Sequence, residues 1–121
     1  MTRKMLEKDW EAGLYQKIIC RNYQGGEGIT VIYNDLGIRI PLGACESGKM
    51  VLDPKASIGP YTLRHQKIVW KILAGQIEYH GDTYGPEDEL IFQNNSVVSV
   101  KNTYTGETII GFTKYLHTYH D

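Results

Sequence analysis

The sequence predicts an all-β domain, a small antiparallel β-barrel or jelly roll, preceded by a short N-terminal helix or arm. Composition is the first reason: nine Tyr, two Trp, two Phe and thirteen Gly against four Pro in 121 residues suit half-buried sheet faces joined by tight turns. Rhythm is the second, because short apolar segments recur every 8–12 residues or so, separated by turn chemistry. The third is that no helical period continues past the first dozen or so residues.

Residues 1–13 form the arm or helix and residues 14–121 the barrel. In the arm, Leu6 and Trp10 stand four apart among charged residues, so a helix there lays one apolar stripe on the barrel. The first strand is read at 14–20, ended by Gly25, Gly26 and Gly28, and the second at 29–33. Asn34-Asp35-Leu36-Gly37 then reverses the chain into Ile38-Arg39-Ile40, read as an alternating strand. A strand at 50–53 comes after Glu46-Ser47-Gly48, and Pro54 and Pro60 bracket a loop through Gly59. Strands at 68–73 and 76–80 pivot about Gly75, and Gly81-Asp82 turns the chain again. Segments 90–92, 96–103 and 108–115 complete the set, with Thr105-Gly106 as the last hairpin turn.

Length allows one domain with a modest core. The net charge of −1 is spread without a basic stripe, so nucleic-acid binding is not expected. No apolar run approaches the length of a membrane span, and the charged start Met1-Thr2-Arg3-Lys4 lacks a secretion core. The expected location is therefore cytoplasmic. Cys20 and Cys45 occupy unrelated positions and are read as reduced thiols.

Residues 59–102 carry a resemblance. The run from Gly59-Pro60-Tyr61 to Ile72-Leu73-Ala74-Gly75-Gln76, followed by Gly81-Asp82, resembles the first motif of the cupin superfamily. Gly85-Pro86, Asp88 and Asn102 fall at the places of its second motif. The resemblance implies a cupin-like jelly roll, commonly a homodimer, with a small-molecule ligand or substrate in the barrel. It also shows departures. The family's metal-binding glutamate falls on Ile68, its paired histidines fall near Thr62 and Arg64, and its last histidine falls on Val98. Ile and Val offer a metal no lone pair, so no metal and no other cofactor is expected. Alternation turns Ile68, Trp70 and Ile72 inward with Val98 and Val100.

Several side chains remain as candidates for chemistry. His65, beside a family ligand position, is the candidate base, with Tyr61 or Tyr79 as its acid partner. Arg64 and Arg39 are the candidate forks for a carboxylate or phosphate if either enters the barrel. Tyr33, Trp70 and Thr62 complete the expected ligand wall. His117 and His120 have a chelating spacing if helical, or belong to a chain-end tail. Three functional readings follow. One is a metal-independent cupin-like protein that takes a small polar, anionic molecule and isomerises, epimerises, cyclises or eliminates it by acid–base chemistry. The second is a non-catalytic ligand-binding or interaction module, in which the arm with Trp10 is exchanged across a dimer. The third is a metal-dependent cupin with a rearranged site.

Overall fold

A computed structural model describes residues 1–116; His117 and His120 lie outside the described residues. Helix α1 (Arg3–Glu11) is opened by Thr2, whose hydroxyl accepts a hydrogen bond from the Met5 backbone N–H at 3.3 Å, satisfying one of the amides that a first helical turn leaves free. Ten strands follow: β1 (Tyr15–Arg21), β2 (Ile29–Asp35), β3 (Glu46–Leu52), β4 (Ser57–Thr62), β5 (Gln66–Ala74), β6 (Ile77–Tyr79), β7 (Asp82–Tyr84), β8 (Glu89–Phe92), β9 (Val97–Lys101) and β10 (Thr108–Leu116). They make a six-stranded sheet in the order β1-β2-β3-β10-β5-β8 and a four-stranded sheet in the order β4-β9-β6-β7, with antiparallel pairing. This is a jelly-roll sandwich with one short N-terminal helix.

Period-two alternation decides which face each strand buries. Ile32, Met50, Ile68, Trp70, Ile72, Ile110 and Phe112 of the larger sheet pack in one cluster with Ile58, Ile77, Val98 and Val100 of the smaller. The inward set expected for Ile68, Trp70, Ile72, Val98 and Val100 is therefore the observed one. The outer face of the larger sheet is apolar where α1 lies. Leu6 packs there on Tyr15, Val31, Tyr33, Val51 and Ile109. Trp10, four residues on, stays 40% exposed, so the stripe is anchored by Leu6.

Three local expectations are corrected. Residues 38–40 are not a strand: Gly37–Arg39 is a 3-10 turn and Pro41 follows, with no neighbouring strand to pair. The bracketed loop contains strand β4, an edge strand whose register breaks between Ile58 and Tyr61, and a bulged edge is where Pro60 is tolerated. The turn at Thr105-Gly106 joins β9 to β10, which lie in different sheets, so it is a crossover and not a hairpin. The pivot expected at Gly75 is observed, and it carries the chain from the larger sheet to the smaller. A Cβ there would stand 2.4 Å from Thr108 Oγ1 and 2.8 Å from the Glu107 carbonyl oxygen, at φ +80°, so only glycine fits.

Asn102, one of the matches to the second motif, has a structural role. Its buried amide nitrogen lies 3.0 Å from the carbonyl oxygens of Leu52, Asp53 and Gly106. Its Oδ1 accepts from the Tyr104 N–H and the Thr108 hydroxyl, both at 2.9 Å. It ties the end of β3 to the crossover between the sheets.

Candidate functional site

The inner wall of the larger sheet is read in rows from the strand register. One row crosses Asn34, Gly48, Phe112, Trp70 and Leu90, and the next toward the rim crosses Glu46, Lys114, Ile68 and Phe92. Asn34 shares a face with Ile32, and Lys114 with Phe112, because each pair is two residues apart on one strand. Lys114 Nζ stands 3.7 Å from Glu46 Oε2 and 5.5 Å from the centre of the Phe112 ring. The lysine side chain is 18% exposed and the glutamate 43%. An ion pair thus sits directly across from Ile68, at the rim of an apolar wall.

Among the described residues, two polar atoms on this face have no partner. Asn34 Oδ1 and Thr30 Oγ1 are buried without a hydrogen bond, and an unmet buried group costs about 1–3 kcal/mol. The remaining polar lining is phenol and thiol. Cys20, Tyr23, Tyr61, Tyr79 and Tyr84 are half-buried against the main core. Burial, reinforced by Tyr23, pushes the Tyr61 hydroxyl up to about 12, and burial pushes the Cys20 thiol up as well. Both keep their protons at neutral pH, so the phenol donates hydrogen bonds and the thiol is no nucleophile.

The positions at which the resemblance places a metal-binding glutamate and histidine hold no metal donor. Ile68 and Val98 are 1% and 0% exposed within the apolar cluster, and hydrocarbon supplies no lone pair. Thr62, the last residue of β4, is exposed and alternates with inward Tyr61.

The other residues expected at the site are dispersed. Arg64 and His65 lie exposed in the turn between β4 and β5. The Arg64 guanidinium donates to Asn95 Oδ1 at 2.7 Å, and the His65 backbone N–H donates to Asn94 Oδ1 at 2.7 Å. Both bonds tie this turn to the one between β8 and β9. Of the residues expected in acid–base chemistry, Tyr61 and Tyr79 are half-buried against the core and His65 stands in an exposed rim turn. Tyr79 packs edge-on against Phe92 at 5.4 Å, and Trp70 does so at 4.9 Å. Trp70 is 2% exposed and fills the core. Tyr33 lies on the opposite face of the larger sheet, beneath α1, because odd positions of β2 point outward. Arg39 is outside the sandwich too, 3.6 Å from Asp35 Oδ1 and 4.8 Å above the Tyr15 ring. Neither guanidinium enters the interior.

Sequence reasoning missed Lys114, Glu46 and Asn34. The signal for Lys114 was the alternation of Phe112 and Lys114 in a recognised strand. Its meaning depended on knowing which face was inside.

Neither protein-family models nor curated proteins match this sequence. Solved structures do match. A predicted oxalate decarboxylase from Thermotoga maritima superposes with a TM-score of 0.73 at 18% identity, covering 86% of this chain and 95% of that one. The polyketide cyclase RemF of Streptomyces resistomycificus gives 0.62 at 10% identity, over 83% and 73%. The Cnp3 cupin domain of Schizosaccharomyces pombe gives 0.61 at 12% identity, over 82% and 68%. One is named as a predicted decarboxylase and another as a cyclase, so the likeness carries architecture and no single activity.

Proposed function

From a chain that has the cupin fold, with hydrocarbon where that fold usually carries metal donors, we propose a binding protein that holds a small anionic molecule at the rim of its inner wall. The reading rests on Lys114, a mostly buried cation on the same inner face as the orphaned Oδ1 of Asn34. An ammonium in that setting favours a negative ligand group, and the Asn34 amide offers both a donor and an acceptor to its polar remainder. Glu46 is the half-exposed partner that a ligand carboxylate or phosphate would displace. Binding needs no metal on this reading. It also needs no turnover, because the phenol of Tyr61 and the thiol of Cys20 keep their protons at neutral pH.

A thermal-shift series with small carboxylates, phosphates and neutral sugars tests it. The anions should raise Tm and the neutral sugars should not. Lys114→Met, which keeps the aliphatic stem, should abolish the shift. Equal shifts in the variant, or none with any anion, would overturn the proposal. Recovery of a chemically altered ligand would replace it with the acid–base enzyme.

A further inference from the structure

Asn102 has no part in the rim site, yet it sets the geometry of a second cleft. Its side chain bonds the carbonyl oxygens of Leu52, Asp53 and Gly106 and the Tyr104 N–H, and its own backbone N–H donates to the Ala56 carbonyl oxygen at 2.8 Å. One buried residue thus holds two neighbouring turns, at 53–56 and 103–106. Between them lies a cleft of about 490 Å³ lined by Pro54, Lys55, Lys101, Thr103, Tyr104 and Thr105 around Asn102 itself. It stands at the end of the sandwich opposite the rim. Leu52 pairs with Thr108 at this end of β3 and β10, and Glu46 with Lys114 at the other, about 20 Å away at the usual rise of a strand.

Among the described residues the lining carries two ammoniums, Lys55 and Lys101, and no carboxylate. Asp53 and Glu107, the acidic residues beside the two turns, both face Arg3, at 3.9 and 2.5 Å. Lys101 lies opposite Glu78 in the strand register, but among the described residues neither lysine has an ion-pair partner. On a chain of net charge −1 the cleft is a local positive site. Beside the charges is flat apolar surface. The Tyr104 ring rests against Gly106, where an added Cβ would stand 3.3 Å from Cε2, and remains 45% exposed. The place of Lys55 is a further observation. The turn at 53–56 is closed by the Ala56 N–H on the Asp53 carbonyl oxygen at 3.0 Å, with Lys55 at φ 68°. Pro54 suits the second position of such a turn, whereas the third, with positive φ, favours Gly or Asn. A lysine there goes against local preference, and departures of that kind gather at functional sites.

We propose that this cleft is a second binding site, for a small aromatic molecule that carries an anionic group, a phosphate or a carboxylate. Tyr104 and Pro54 pack on its ring, Lys55 and Lys101 meet its charge, and the hydroxyls of Thr103 and Thr105 take its polar edge. Asn102 supplies rigidity, since both walls hang from one buried amide and need no ordering when the ligand arrives.

Calorimetric titration of the full chain with adenosine monophosphate and with salicylate tests the site, and the two arms separate a phosphate from a carboxylate. Adenosine, benzyl alcohol and inorganic phosphate serve as controls. At least one aromatic anion should bind, and the controls at least about tenfold more weakly, each lacking the ring or the charge. Backbone amide resonances should shift at 55–56 and 103–106. Those of Asn34, Glu46 and Lys114 report the rim separately, so failure of the rim reading leaves this test standing. Tyr104→Ala should weaken binding at least about fivefold, as expected for a lost stacking partner. Lys55→Gly should weaken it by a similar factor while holding or raising Tm, because glycine relieves the left-handed backbone. Failure of both aromatic anions to bind overturns the proposal, as does inorganic phosphate binding equally well. Unchanged affinity in both variants, or shifts confined to the rim, would overturn it too.

Discussion

Ile68 marks the difference between this wall and a metal-binding one most sharply. Its side chain is 1% exposed and its cross-strand neighbours are Lys114 and Phe92. Ile68→Glu would bury a carboxylate there, at a cost of about 3–5 kcal/mol, readable as a lowered urea midpoint. Addition of divalent metal should not restore stability, since no second donor faces the new carboxylate from Val98. Tyr61 makes a second prediction through its proton. The folded phenol holds its proton to about 12, while that of the unfolded chain leaves near the ordinary 10. Between those values the unfolded chain binds fewer protons, so stability is fully present below pH 10 and falls as pH rises through the window. Partial exposure limits the loss to about 1–2 kcal/mol. Tyr61→Phe should flatten that part of the pH dependence, measured by urea unfolding in mildly and strongly alkaline buffer.

The element with the most to reveal is α1. It is fixed by the burial of Leu6 and by an ion pair from Lys17 Nζ to Glu7 Oε1 at 2.7 Å. Arg3 adds a second pair with Glu107 across the sheet. Leu6→Ala should cost about 2–4 kcal/mol and loosen the helix over Tyr33 before the sandwich itself unfolds. The hydrogen bond from Lys17 is the main cause holding Glu7 below the usual carboxylate value, against the opposing effect of burial. A lowered folded value means that this contribution is present above the unfolded value of 4.5 and is lost as pH falls through the folded one. Acrylamide quenching of Trp10, whose ring lies 4.5 Å from Lys17 Nζ, should therefore rise in acid while that of buried Trp70 does not. At the other edge, the turn after β1 packs on β4 so closely that a Cβ on Gly26 would stand 2.0 Å from the Ser57 carbonyl oxygen. That contact closes the sandwich along its β1 side.

For the molecule as a whole, two sheets share one core and a helix caps half of the larger sheet's outer face. The apolar interior predicts the metal content. Untagged protein equilibrated with manganese, iron or zinc and then gel-filtered should retain less than about a tenth of an equivalent; a full equivalent would mean that donors elsewhere in the chain form a site. Much of this architecture was legible beforehand. The strand rhythm, the inward set around Trp70 and the loss of donors at Ile68 and Val98 all follow from periods of two and from side-chain chemistry, which are local properties. The candidate site was far less legible. Arg39 and Arg64 were reasonable cations for a barrel, yet the first stacks on Tyr15 outside it and the second bonds Asn95 at its rim. Lys114 went unmarked in a strand that was recognised.

By itself, then, the sequence determined the class of fold, the register of the inward residues and the hydrocarbon side chains at Ile68 and Val98. Each needs only residue type and spacing along one chain. Tertiary structure alone decided that β9 and β10 belong to different sheets and that Tyr33 faces α1. It also decided that Lys114 pairs with Glu46 and shares one wall with Asn34. Alternation separates a strand's two faces but does not say which one another sheet or a helix will cover. That choice is made by packing between segments far apart in sequence.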